Sequence, residues 1–210
     1  MHDGELTVTA PMVRELVDEQ YPQWRELPVK YLEASGTVNA IFRIGEDLAA
    51  RFPLVGADVE QTRRVLRAEA EAAAELAAHS RVPVPVPVAL GEPGAGYPLP
   101  WSVQTWLPGV VADEADPGSS TDFANDLADF IQDLRAVDTR GRVFSGRGRG
   151  GDLRAHDAWM DTCFERSEGL LDGAVLRRTW AEMRELPRHS PDVMTHGDLI
   201  PGNVLVADGR

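Results

Sequence analysis

The chain holds a single cysteine, Cys163, in 210 residues, which excludes an intrachain disulfide and fits a reducing compartment. Cations are scarce as well. Lys and Arg number 21 against 34 Asp and Glu, a net charge of −13, which argues against nucleic acid or an anionic membrane surface as the main partner. No window approaches the roughly 18 apolar residues of a membrane span. The start, Met1, His2, Asp3, Gly4 and Glu5, lacks the basic segment and apolar run of a secretory leader. These absences together predict a cytoplasmic protein. His2, His79, His156 and His189 have no metal-ligand spacing to Cys163 or to a second histidine, so no zinc site is expected. There is no G-x-S-x-G or Ser/His/Asp signature either. What is present is enough apolar material, 43% of the chain, for the core of one large domain or two small lobes. The acidic surplus suits a cationic substrate, or does no more than keep the protein soluble.

Periodicity supplies the elements. Residues 9–20 read as a helix with Thr9 as cap, Pro11 in the first turn, and Met12, Leu16 and Val17 on one face. Short apolar runs at 27–32, 39–44 and 48–52, broken by Ser35-Gly36 and Gly45-Glu46-Asp47, predict an antiparallel meander. Ser35, Gly36 and Thr37 would form a flap whose backbone N–H groups could cover phosphates; a plain hairpin turn is an equal reading. Residues 60–79 carry Leu66, Ala70, Ala73 and Ala77 at helical spacing, a helix lying on the sheet. The alternation of valine and proline over 82–88 predicts an extended connection into an edge strand. Residues 101–107 form the next strand, ended by Pro108-Gly109. An acidic loop over 110–120 then leads to a helix over 121–137, with Phe123, Leu127, Phe130, Ile131 and Leu134 as its core stripe. Residues 139–151, rich in arginine and glycine, read as a mobile loop, and 153–171 and 176–186 as helices. Cys163, beside Trp159 and Phe164, takes a buried packing role by default.

The most specific pattern lies near the carboxy terminus. His196-Gly197-Asp198-Leu199-Ile200-Pro201-Gly202-Asn203 has the spacing H-x-D-L-x-x-x-N of a kinase catalytic loop, with Gly197 where protein kinases carry Arg. A substrate hydroxyl needs an acceptor for its proton in line with the γ-phosphate, and Asp198 is the candidate. The amide oxygen of Asn203, brought back by the intervening turn, is the candidate ligand for a Mg²⁺ bridging the phosphates. His196 would brace the loop. The competing reading is a polar turn feeding a strand over 204–206.

This loop resembles the HGDLxxxN loop of aminoglycoside phosphotransferases and related small-molecule kinases. The likeness continues in order through residues 35–44, 48–53, 82–88 and 97–109, so it runs from about residue 20 to the end. It implies an α+β, protein-kinase-like two-lobed fold, with an antiparallel-sheet nucleotide-binding lobe over 1–107 and an incomplete, mainly helical lobe over 108–210. It also implies transfer of the γ-phosphate of ATP or GTP, with Mg²⁺, to a hydroxyl of a small molecule such as an aminoglycoside. Arg51 stands where that fold usually places the phosphate-holding Lys, a real departure because the guanidinium is a planar fork. By resemblance its partner is Glu71, with Glu69 as the fallback, since alanines surround the helix. Main-chain groups of Thr105 and Leu107 fall at the hinge that holds adenine. The family's second metal carboxylate lies roughly a dozen residues past the Asn, whereas seven follow Asn203, and Asp208 sits in a turn. The expectation is therefore weak nucleotide binding and little transfer. The alternative is a catalytically silent nucleotide-binding protein.

Overall fold

The computed structural model describes residues 6–33, 38–55, 58–144, 150–187 and 189–207. Helix α1 (Ala10–Gln20) begins where the Thr9 hydroxyl accepts the Met12 N–H, with proline in its first turn. Its Val13, Leu16 and Val17 are fully buried. Strands β1 (Val29–Leu32), β2 (Asn39–Ile44) and β3 (Leu48–Pro53) follow as the expected meander. Then come α2 (Val59–His79), capped by Asp58 through a 2.6 Å bond from the Gln61 N–H, and strands β4 (Pro87–Gly91) and β5 (Trp101–Thr105). The sheet order is β1-β2-β3-β5-β4, every pair antiparallel. β4 holds the edge, where a proline does not break a second ladder.

Strand parity sorts the two faces. Phe42 on β2, Ala50 and Phe52 on β3, and Trp101 and Val103 on β5 point to one side and pack with α1 as a single core. Phe52 stacks on Trp101 at 4.9 Å and meets Tyr97 edge-on at 5.2 Å. The buried Tyr97 hydroxyl donates to the Pro53 carbonyl at 2.8 Å, and burial pushes its phenol well above the ordinary range. Arg51, one residue from Ala50 and Phe52, therefore emerges on the opposite face, the side on which Glu69 of α2 lies.

After β5 the structure departs from the expected acidic loop over 110–120. Val110–Val111 is a strand, β6, followed by a short helix α3 (Ala112–Ala115) that ends on Asp116 at φ +46°. β6 finds its partner almost a hundred residues on, in β7 (Leu205–Val206). Local patterning cannot reveal a strand of two residues whose hydrogen bonds are this remote. Helix α4 (Thr121–Ala136) starts on the Ser120 hydroxyl, which accepts the Phe123 N–H. Of its expected stripe only Phe130 and Leu134 are buried, and Ile131 is exposed. Helices α5 (Asp157–Arg166) and α6 (Gly173–Met183) pair through polar bridges: the Trp180 indole N–H and the Arg184 guanidinium both donate to Asp157. Cys163 is half-buried and Phe164 buried, but Trp159 lies exposed.

Candidate active site

The loop at 196–203 is closed on itself. The carbonyl of Asp198 accepts both the Ile200 N–H at 3.0 Å and the Asn203 side-chain amide at 2.9 Å, so the two residues picked out five positions apart are in contact. Pro201–Asn203 forms a 3₁₀ turn, and the Asn203 N–H donates to the Ile200 carbonyl at 2.9 Å. At the entrance, the Asp198 N–H donates to His196 Nδ1 at 3.3 Å, and the imidazole meets Phe130 of α4 edge-on at 6.1 Å. His196 thus ties the loop to the helical lobe. Gly197 sits at φ +76°, a conformation that strains an L side chain. That is a backbone reason for glycine where protein kinases carry arginine.

The loop runs straight into the connection that leaves the sheet. Val110 pairs with Val206 and Val111 with Leu205, and the Ala112 N–H donates to the Val204 carbonyl at 2.9 Å. Gly109 makes the approach possible. Its φ is +143°, and a Cβ there would lie 3.0 Å from the Val206 carbonyl oxygen and 3.1 Å from Leu205 Cβ. Upstream, the Thr105 N–H donates to the Val86 carbonyl at 2.8 Å and its hydroxyl accepts the Val86 N–H at 2.9 Å. The Trp106 N–H turns to the other edge and donates to Asp47 at 2.7 Å. The Leu107 N–H comes two residues past the end of β5. Among the described residues it has no hydrogen-bond partner, which leaves a main-chain donor open at the expected hinge. The Arg43 guanidinium lies 5.0 Å from the Trp106 ring centroid, a cation–π contact that fixes the hinge to β2. Gly109 and Trp106 were not singled out from sequence for this role. The Val110-Val111 dipeptide after a glycine was the only local signal.

Arg51 is half-buried on β3, and the carboxylate that meets it is Glu69, at 3.7 Å. Glu71, the expected partner, is exposed and makes no ion pair with Arg51 among the described residues. Two residues advance a helix by about 200°, so Glu69 and Glu71 point to nearly opposite sides, and only one of them can face β3. Ser35, Gly36 and Thr37, the expected phosphate flap, lie outside the described residues, as does Asp208. For a metal, Asn203 fits as one ligand: its Nδ2 is committed to Asp198, and among the described residues its Oδ1 accepts no hydrogen bond. No cluster of three His, Cys, Asp or Glu suited to a metal occurs among the described residues.

A five-stranded antiparallel sheet over a helical lobe, with a closed Asp–Asn loop joined to the hinge, is the architecture of a kinase-like phosphotransferase. Residues 33–210 match the model of the phosphotransferase enzyme family, APH, and the chain belongs to that family. Solved structures agree on the fold. The GDP complex of wild-type aminoglycoside 2'-phosphotransferase-IIIa is similar with a TM-score of 0.70 at 20% identity, over 95% of this chain and 68% of that one. The GDP and kanamycin complex of APH(2")-IIia gives 0.68 at 21%, over 93% and 67%. The gentamicin complex of APH(2")-IIa gives 0.57 at 16%, over 98% and 68%. The helical lobe is shorter than in these neighbours. No curated protein sequence matches the chain. No described helix is long and apolar enough to cross a membrane.

Proposed function

We propose that this chain binds ATP or GTP between its sheet and its helical lobe and transfers the γ-phosphoryl group to a hydroxyl of a small cationic molecule, aminoglycoside-like by resemblance. The hydroxyl proton passes to the Asp198 carboxylate as the oxygen bonds to phosphorus, and the nucleoside diphosphate leaves. Asn203 would ligate Mg²⁺, which neutralises phosphate charge when bound. Arg51, held by Glu69, would grip phosphate oxygens; the main chain at Thr105 and Leu107 would take the base; and Ser35, Gly36 and Thr37 would cover the phosphates. The division between lobes falls at 107/108, and the cytoplasm is the compartment that suits a lone half-buried cysteine.

The observation that carries the reading is the bond from Asn203 to the Asp198 carbonyl, within a loop whose outgoing strand pairs with the segment leaving the hinge. The net charge of −13 favours a polycationic acceptor, and nucleotide and aminoglycoside complexes among the structural neighbours support it. The test is transfer from γ-labelled ATP and GTP to kanamycin and gentamicin, with Asp198→Ala alongside. Losing the proton acceptor lowers transfer by about 10²–10⁴-fold and leaves nucleotide affinity nearly unchanged. An Asp198→Ala protein with most of its rate defeats the assignment. A second reading, a silent nucleotide-binding protein, is favoured by one observation, the arginine Arg51 where the family usually carries lysine. Under it, nucleotide raises Tm while no label moves.

A further inference from the structure

Helix α2 spans 21 residues, about 30 Å, yet only Leu66 of it is buried. Ala70, Ala73, Leu76 and Ala77 are half-buried, and alanines offer little to lock a helix against rotation. Charge holds it instead, at both ends. Near the start, the Arg63 guanidinium bonds to Glu60 in the same helix and to Glu92 beyond β4. Near the end, Glu75 receives Arg142 in bidentate fashion at 2.7 and 3.1 Å, with Arg140 at 3.5 Å. Two residues past the helix, Arg81 gives its backbone N–H and its guanidinium to Asp133 of α4, each at 2.8 Å, and reaches Asp129 at 3.3 Å.

These clamps are built, not casual. The turn after α4 presents its arginines in fixed positions. Asp138 accepts the Arg140 N–H at 2.8 Å with Arg140 at φ +51°, and the Arg142 side chain donates to the carbonyls of Thr139 and Asp138 as well as to Glu75. Asp133 and Glu75 are only 13% and 16% exposed, far less than an ordinary surface carboxylate. Their arginine partners hold both below the usual carboxylate range.

Glu69 sits between the two anchorages, and its 3.7 Å contact with Arg51 is near the limit of an ion pair. A carboxylate some 5–6 Å off the helix axis moves by about 2 Å for every 20° that α2 turns. We propose that α2 is an electrostatic strut: Glu75 and Arg81 are positioning residues that fasten its end to the helical lobe and so keep Glu69 against Arg51. The phosphate-holding purpose of that pair rests on the function proposed above, whereas the strut itself does not.

The test uses Glu75→Gln, Asp133→Asn and their double variant in the full chain. Hydrogen exchange of the second half of α2 should rise about threefold to fivefold in each single variant, and further in the double, with β2 and β3 unchanged. Dissociation constants for magnesium–ATP should weaken by a similar factor, and that loss should vanish in a Glu69→Gln background, because Glu75 acts through Glu69. Unchanged exchange in α2 overturns the strut whatever the nucleotide does. Faster exchange with additive effects on affinity overturns the link to Glu69. If the wild type binds no nucleotide while α2 still loosens, the nucleotide reading fails and the strut stands. Should the double variant not fold, the single variants carry the same reading.

Discussion

Replacing Gly109 with alanine tests the join between the segment that leaves β5 and the loop at 196–203. The position has two independent demands. Its backbone stands at φ +143°, where a non-glycine residue costs about 1–3 kcal/mol. The added methyl would also lie 3.0 Å from the Val206 carbonyl oxygen and 3.1 Å from Leu205 Cβ. Those neighbours belong to a two-residue strand with little freedom to yield, because Val206 is itself buried. Crowding of this kind adds about 1 kcal/mol, so the whole penalty is about 2–4 kcal/mol. For a chain of this size that is a fall in Tm of roughly 4–16 °C, at about 2–4 °C per kcal/mol. The damage should be local first: the Ala112 amide, which donates to the Val204 carbonyl, should lose exchange protection before amides in β2 and β3 do. The assay is thermal and urea unfolding combined with amide exchange, followed by phosphoryl transfer at a temperature where the variant is folded. Under the proposed function, kcat falls because the Asp198–Asn203 loop is no longer tethered. A Gly109→Ala protein that melts within 2 °C of the wild type and keeps protection at Ala112 would refute the argument.

Gly91→Ala should be worse tolerated still. A Cβ there lies 2.0 Å from the ring of Trp101, which stacks on Phe52 and meets Tyr21 edge-on, and the expected loss is about 3 kcal/mol or more in urea unfolding, partly rescued by Trp101→Phe. Arg51→Met should raise the KM for nucleotide about tenfold while leaving Tm within about 2 °C, since the 3.7 Å pair with an exposed Glu69 contributes little stability; equal affinity in the variant would remove Arg51 from the site. The carboxyls of Glu75, Glu92 and Asp133 are held below their ordinary values mainly by hydrogen bonds from Arg142, Arg63 and Arg81. A depressed carboxyl stabilises the fold above its unfolded pKa and ceases to do so as pH falls through its folded one. Tm should therefore stay level from pH 7 to about 5 and fall below about 4.5, with Glu75→Gln flattening that decline; a decline of the same depth in the variant would exclude Glu75 as a contributor.

Most of the sheet lobe is legible in the chain because its signals are local. Thr9 as cap, the meander broken at Gly45, the long α2 and the edge position after the valine–proline run each need only a few neighbouring residues to be read. The contact within the loop at 196–203 is legible for the same reason: Asp198 and Asn203 lie close together in sequence. The errors share a cause. Choosing between Glu71 and Glu69 required the rotation of α2 about its own axis, which the alanines on every side of the helix leave open. Gly109 passes for an ordinary strand stop until Val206 is known to lie across from it. The clamps at Glu75 and Asp133 join residues 67 and 52 positions apart, beyond any local pattern.

What the clamps at Glu75 and Asp133 have in common is that each links α2, or the turn just after it, to the helical lobe. The apolar residues build one deep core on the α1 side of the sheet, whereas α2 meets the helical lobe through charge clamps. Burial is non-directional and tolerates few changes of shape, whereas ion pairs with one foot in solvent weaken with salt and release at low cost. Under the proposed function, that division keeps the sheet rigid while leaving the α2 junction free to release. On this argument, salt should loosen the α2 junction well before it affects the Phe52–Trp101 core, and amide exchange followed across a salt series would reveal the order.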